Sequence, residues 1–386
     1  MTSALDHRTV DLLARLVAFD TESRRANVEL IEHCASRCED AGAVVTVLPG
    51  APGRANLLAR FGPDRPGGLF VSGHTDVVPA GSGWATDPYQ LTEREGTLRG
   101  RGTADMKGFV AVALALLTDS TDGSRLRAPV HVGLSYDEEI GCVGVRGLLD
   151  HLRSLDGVAP DLVVVGEPTL MQACGAHAGK VSFEIEVTAP SGHSSRAGTV
   201  PGAISVAAEL VRVIDDLPTA WAHGVVPVDD GRSGEVTANV GTIEGGAAVN
   251  VLAPRCVLTF ELRHRAGVPV DDALAPVWEA VERLRVEQGP QGVTITVRPL
   301  ASYPALATRA GAAPVEALRA LVGGTLGTVG FGTEGGLYAD CLPAPVVVCG
   351  PGSIEDAHRP DEFVDPTQLV RCHDVLGQLV AIHCGR

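Results

Sequence analysis

Four short apolar runs constrain this chain more than any other feature: "LFVS" (Leu69 to Ser72), "VHVGLS" (Val130 to Ser135), "LVVV" (Leu162 to Val165) and "PVVVCGPG" (Pro345 to Gly352). Each is too short for a helix, and each is flanked by glycine or proline. Runs of this kind are strands buried on both faces, as in the core of an α/β sheet. Between them, "MKGFVAVALALLTDS" predicts a mostly apolar helix over Met106 to Ser120, and "VGVRGLLDHLRSL" predicts another over Val143 to Leu155.

The pattern changes in the middle of the chain. "VSFEIEVTA" (Val181 to Ala189) alternates strictly, with Val181, Phe183, Ile185 and Val187 on one face and Ser182, Glu184, Glu186 and Thr188 on the other. This is a half-buried strand with one wet face. A helix over Val200 to Leu217, strands over Val236 to Ile243 and Cys256 to Arg263, a helix over Val270 to Glu287 and a strand over Gly292 to Val297 follow. The order βαββαβ is that of a ferredoxin-like α+β unit. The reading is therefore an α/β domain with a mixed sheet (residues 1–176 and 299–386), interrupted by a ferredoxin-like domain (residues 177–298).

With 386 residues, 45% of them hydrophobic, the chain has material for more than one core. A formal charge of -16 argues against nucleic acid and anionic membrane as partners. No apolar run approaches the roughly 20 residues of a membrane span. The N-terminus, "MTSALDHRTVDLLARLVAFDTES", lacks the basic-then-apolar order of a signal peptide. Nine cysteines without a CxxC pair are expected as buried free thiols, Cys34 and Cys38 included. A cytoplasmic protein is expected.

Chemistry gathers where the apolar runs end. His74, Thr75 and Asp76 follow the first, Glu138 and Glu139 the second, Glu167 the third and His358 the last, with Asp105 ahead of the apolar helix. Open α/β sheets place their sites at the carboxyl ends of their strands. Taken singly, each residue is ordinary: adjacent glutamates usually sit on a wet surface, and a histidine after a strand is usually structural. Their recurrence after successive buried strands is not ordinary. "YDEEIG" also sets three carboxylates in a row, which repel one another unless positive charge holds them. Carboxylates with an imidazole at each end of the set suit two divalent cations such as Zn²⁺. Neither G-x-S-x-G nor H-E-x-x-H occurs, so a serine elbow and a helix-borne zinc protease are set aside.

The segments "SGHTDVVP", "GRGTADMKGF", "DEEIGCVG", "GEPT", "SGHSS" and "GPGSIEDAHRPDEF" resemble, in order, the motifs of the M20 family of dinuclear zinc amidohydrolases, most closely its acetylornithine-deacetylating branch. The resemblance implies a zinc-peptidase-like catalytic domain whose insertion is a lid and homodimerisation domain. It implies two Zn²⁺, or Co²⁺, held by His74, Asp105, Glu139, Glu167 and His358. Asp105 would be shared, His74 and Glu167 would serve one ion, and Glu139 and His358 the other. Asp76 would orient His74 through the other ring nitrogen, and Glu138 would be general base and then acid. His193 would stabilise the oxyanion with Asn250 nearby, and Arg263 would bind the substrate α-carboxylate. Glu334, in "GFGTEGGLY", would pair with a substrate amine or cap a helix. The implied substrate is a small N-acyl amino acid, N2-acetyl-L-ornithine in that branch; the alternatives are another N-acyl amino acid, an acetyl-protected specialised metabolite, or the substrate of a desuccinylase or dipeptidase of the same family. One departure stands out: Pro201-Gly202 occupies the start of a lid helix where the family pattern has Val-Asn.

Overall fold

The computed structural model describes residues 6–120, 125–155, 157–222 and 236–385; the first five residues of the N-terminal stretch lie outside them. The chain divides into two compact units, Met1–His177 with Leu306–Arg386, and Ala178–Ala305.

The four apolar runs form the centre of the first unit. Its strands are β1 (Val44–Pro49), β2 (Ala55–Phe61), β3 (Leu69–His74), β4 (Val130–Ser135), β5 (Leu162–Pro168), β6 (Cys174–His177), β11 (Leu306–Ala307) and β12 (Val346–Gly350). They lie in the order β1-β2-β4-β3-β5-β12-β6-β11, and a ninth strand, Gly327–Thr328, pairs with β6. Neighbours are parallel across β4, β3, β5 and β12, the four runs named above, and antiparallel at β1-β2, β2-β4, β12-β6 and β6-β11. Every residue of the four central strands is buried. Such strands need a helical layer on each face. Helices α1 (His7–Val17), α2 (Val28–Asp40), α3 (Lys107–Ala115), α7 (Ala313–Val322) and α9 (Pro366–Cys384) build one layer. Helices α4 (Val145–Ser154) and α8 (Gly335–Cys341) belong to the other.

Local chemistry sets these elements. The Asp6 and Asp365 carboxylates cap α1 and α9 by accepting from the amides of Arg8 and Thr367. Helix α3 is buried along its whole length, as its composition demands, but the expected run to Ser120 changes at Ala115 into a wider turn over Leu116–Ser120. Gly166 lets α3 approach β5: a Cβ there would sit 2.0 Å from the Phe109 ring. Of the nine free cysteines, eight are buried and Cys341 is partly so.

The second unit is a four-stranded antiparallel sheet of β7 (Gly179–Thr188), β8 (Val236–Gly245), β9 (Arg255–His264) and β10 (Thr294–Tyr303) in the order β8-β9-β7-β10. Helices α5 (Ala203–Ala222) and α6 (Val270–Gln288) pack on it, which is the ferredoxin-like arrangement. The alternation in β7 and β9 is as expected. Ile185, Val187, Leu258 and Leu262 face the core, and Phe183, Phe260 and Trp278 form an aromatic cluster, Trp278 edge-on to Phe183 at 5.0 Å. The last strand starts later and runs further than its sequence suggests. Gly292 adopts a left-handed φ of 88° to turn the chain, and the ladder bulges at Pro299, which has no N–H to give. Helix α5 begins directly after Pro201-Gly202, where the Ala203 amide donates to the Ala253 carbonyl.

Candidate metal centre

Asp105 is the hub of the rim at the carboxyl ends of the parallel strands. Its Oδ1 lies 3.0 Å from His74 Nε2 and its Oδ2 lies 3.1 Å from His358 Nε2. The second imidazole also lies 3.0 Å from Glu139 Oε1. Donor atoms of His74, Asp105 and Glu139 all fall within 4.8 Å of one another. His74 is the last residue of β3 and Glu167 lies within β5, so both stand on the strands and not beyond them. Asp105 precedes α3, and Glu138 and Glu139 follow β4. His358 sits in the loop after β12 at φ 59°; with Asp137 at φ 54°, it holds left-handed backbone beside the rim.

Asp76 meets the other ring nitrogen of His74 with its backbone and not with its side chain. The partner of His74 Nδ1 is the backbone carbonyl of Asp76 at 2.9 Å, while the nearer carboxylate oxygen stands off at 3.6 Å. The Asp76 carboxylate instead accepts from Ser23 Oγ (2.7 Å) and from the amides of Glu138 (3.0 Å) and Glu139 (3.4 Å). The turn after β3 points the Asp76 carbonyl back at His74, the last residue of the strand. The carboxylate is thereby freed to anchor the loop carrying both glutamates.

The three adjacent carboxylates are held in two ways. Asp137 is buried against the Arg54 guanidinium and accepts from the Arg24 amide at 2.6 Å, so protein charge, and not a metal, answers the first of the three. The β2-β4 register explains the pairing: Leu57 faces Leu134, and three residues outward in each strand's continuation Arg54 faces Asp137. Tyr136 lies beneath the guanidinium and packs against Gly144, where a Cβ would meet its ring at 2.7 Å.

Glu138, Glu139 and Glu167 receive no such partner. Among the described residues, none of them pairs with lysine or arginine, and Glu167 Oε1 is buried without a hydrogen bond. Burial drives all three carboxyls upward, Glu139 to about 7; neighbouring carboxylates add to the shift, and His74 and, at Glu139, His358 oppose it. Burial works against a charged His74, but its hydrogen bond to Asp105 and the charges of Glu167, Asp105 and Asp76 outweigh it. Hydrogen bonds to Asp105 and Glu139 raise His358 to about 10. Burial would raise Asp105 too, yet His358 and His74 together hold it below the usual carboxylate range. The rim therefore concentrates negative charge and an orphaned donor oxygen around two imidazoles. This oxygen-and-imidazole set fits divalent cations.

Glu334 is 1% exposed. Its oxygens meet Ser135 Oγ at 2.5 Å and Ser72 Oγ at 3.4 Å, and burial lifts its carboxyl to about 7. It starts α8 by position but its side chain makes no capping bond. The helix-capping role is not taken up, and the carboxylate accepts instead from the two serines. In the second unit, His193 is exposed on a two-residue strand that pairs with Val251–Leu252, and the Ser194 amide donates to the Asn250 carbonyl. The fold thus brings His193 and Asn250 together. Arg263 stands on the wet face of β9 beside Glu261, at 2.8 Å.

Arg54, Arg101 and Glu362 were not singled out in the sequence. Glu362 lies inside a motif that was noted for His358. Arg54 becomes visible only once the β2-β4 register is known.

Fold and donor set together define a metallohydrolase. Residues 70–382 match Peptidase family M20/M25/M40. Over 378 residues the chain is 34% identical to the acetylornithine deacetylase of Proteus mirabilis (strain HI4320), covering 95% of this chain and 93% of that protein. Its fold is similar to that of an M20 family metallo-carboxypeptidase from Sulfolobus solfataricus, with a TM-score of 0.77, 16% identity and coverage of 97% and 99% of the two chains. It is also similar to that of a Bacillus subtilis dinuclear metal-binding peptidase from the M20 family, with a TM-score of 0.66, 14% identity and coverage of 97% of each chain. The chain belongs to the M20/M25/M40 peptidase family.

Proposed function

We propose that this enzyme hydrolyses the amide bond of an N-acyl-L-amino acid, with N2-acetyl-L-ornithine as substrate and L-ornithine and acetate as products. The observation that carries the reading is Asp105, whose two oxygens each face a different imidazole among buried carboxylates that, among the described residues, no lysine or arginine pairs with. Near full-length similarity to acetylornithine deacetylases supports the choice of substrate.

His74 and Glu167 would hold one divalent cation, Glu139 and His358 the other, with Asp105 shared; zinc suits the donors and cobalt is an alternative. When bound, such ions polarise an amide carbonyl and acidify water. Glu138 takes the proton of the attacking water and returns it to the leaving nitrogen. Its burial suits that work, since a carboxyl held above its ordinary range can both accept and deliver a proton near neutral pH. Asp76 fixes the loop that presents Glu138 and Glu139 and, through its carbonyl, the ring of His74. His193, with Asn250, stabilises the oxyanion, and Arg263 receives the α-carboxylate in its guanidinium fork. Glu334 would pair with the side-chain amine of the substrate. The ferredoxin-like unit serves as a lid and homodimer contact, and the protein acts in the cytoplasm, in arginine biosynthesis.

The test is amine release by zinc-loaded protein from N-acetyl-L-ornithine, beside N-acetylmethionine, N-succinyl-diaminopimelate and a dipeptide. The highest kcat/KM on acetylornithine upholds the proposal. Faster turnover of another N-acetyl amino acid keeps the chemistry and replaces the substrate.

A further inference from the structure

Asp105 and His358 come from distant parts of the sequence, yet the rim needs them in register to a fraction of an ångström. One buried side chain lies between their two segments. Glu362 is wholly buried; its Oε1 accepts from the amides of Ala104 (3.0 Å) and Asp105 (3.1 Å), and its Oε2 accepts from Arg101 Nη1 (2.6 Å). Its own carbonyl accepts from the Gly100 amide at 3.0 Å, and the next residues, Phe363 and Val364, pair as a strand with Arg99 and Leu98. Arg101 extends the clamp to the segment after β3. Its Nη2 reaches the carbonyls of Pro79 (3.3 Å) and Ala80 (3.4 Å), and its guanidinium lies over the Trp84 ring.

We infer that Glu362 is a positioning residue for the metal centre, locking the backbone of Asp105 to the segment that carries His358. The inference rests on the metal reading of the rim given above. A carboxylate is the group this place requires. One oxygen satisfies two amides that burial would otherwise leave without partners, and the other neutralises a buried guanidinium. Glutamine has the same shape but cannot do both, because its NH₂ must face either the arginine or the amides, donor against donor. Aspartate keeps the charge but falls one methylene short of spanning both partners. In either variant Asp105 can drift relative to His358. The ion that depends on Asp105, Glu139 and His358 should suffer more than the one that also has His74 and Glu167.

The test is calorimetric titration of chelator-stripped full-length protein with Zn²⁺, comparing the unaltered chain with Glu362→Gln, Glu362→Asp and Arg101→Lys, each checked for fold by circular dichroism. The unaltered chain should take up two ions. Both Glu362 variants should bind one of the two about 10–100-fold more weakly, the usual effect of losing a group that orients a ligand. Arg101→Lys should stay closer to the unaltered affinities, because it leaves a cation facing Glu362, while lowering the melting temperature. A folded Glu362 variant that binds both ions with unaltered affinity overturns the inference and leaves the metal reading standing. An unaltered chain that takes up no ions overturns both. If Glu362→Gln fails to fold, Glu362→Asp alone decides.

Discussion

Two groups of carboxylates are buried in the same unit and are treated in opposite ways. Asp137 and Glu362, behind the rim, each face an arginine on the protein's own account, Arg54 and Arg101. Glu138, Glu139 and Glu167, on the rim, face imidazoles and other carboxylates, and among the described residues none of them pairs with lysine or arginine. A fold that needs a buried anion for architecture supplies its counter-charge, since unpaired burial is costly. The rim, among the described residues, has no lysine or arginine and only imidazoles, which are themselves metal ligands by type, so its demand is for cations from outside. The contrast separates structural from functional carboxylates better than burial does, because both groups are buried.

The comparison breaks or holds by experiment. The largest effect should come from chelation. Stripping metal should abolish turnover, and Zn²⁺ or Co²⁺ should restore it. Readdition at a thousandfold excess over Kd should stabilise the fold by about 4 kcal/mol per site, read as a rise in melting temperature. Activity that survives exhaustive dialysis against chelator would refute the cation demand of the rim. Next, Glu138→Ala should lower kcat about 10²–10⁴-fold with metal content intact; retained turnover removes Glu138 from proton transfer. Behind the rim, Arg54→Met strands Asp137 and should cost roughly 3–5 kcal/mol in urea unfolding. Adding Asp137→Asn to it should recover a good part of that loss. A single-variant cost below about 1 kcal/mol would mean that Asp137 is not held by its arginine. Smallest should be Arg298→Ala, which breaks the exposed pair with Glu184 in the second unit and should change stability by under about 1 kcal/mol.

Much of this was legible in the sequence for a simple reason. A strand buried on both faces must be apolar throughout, so β3, β4, β5 and β12 declared themselves, and the polar residues that end them had to lie at one edge of the sheet. The strict alternation in β7 and β9 marked a sheet with one wet face just as directly. Asp105, whose place depends on a turn between strands, stands out in the sequence only as an acid ahead of the apolar helix, and its shared role comes from the family resemblance. Long-range pairing was not legible. Arg54 and Asp137 meet through the register of two antiparallel strands, and Glu362 reaches the amides of Ala104 and Asp105 across 258 and 257 positions of sequence. Nor does the sequence reveal that Asp76 meets His74 with its carbonyl and leaves its carboxylate for the loop of Glu138 and Glu139.

The pairing of β6 with β11 has a consequence for how such a chain can be built. His177 and Leu306, the residues on either side of the inserted unit, face each other across one antiparallel ladder. The insertion therefore leaves and rejoins the host sheet at two paired residues, as a loop leaves and rejoins a hairpin. A two-residue turn of the Asn-Gly kind could bridge the same gap. The loop-closure term grows only slowly with the number of residues between the ends. The pairing of β6 with β11 thus fixes where the insertion leaves and rejoins the sheet and sets no limit on its length.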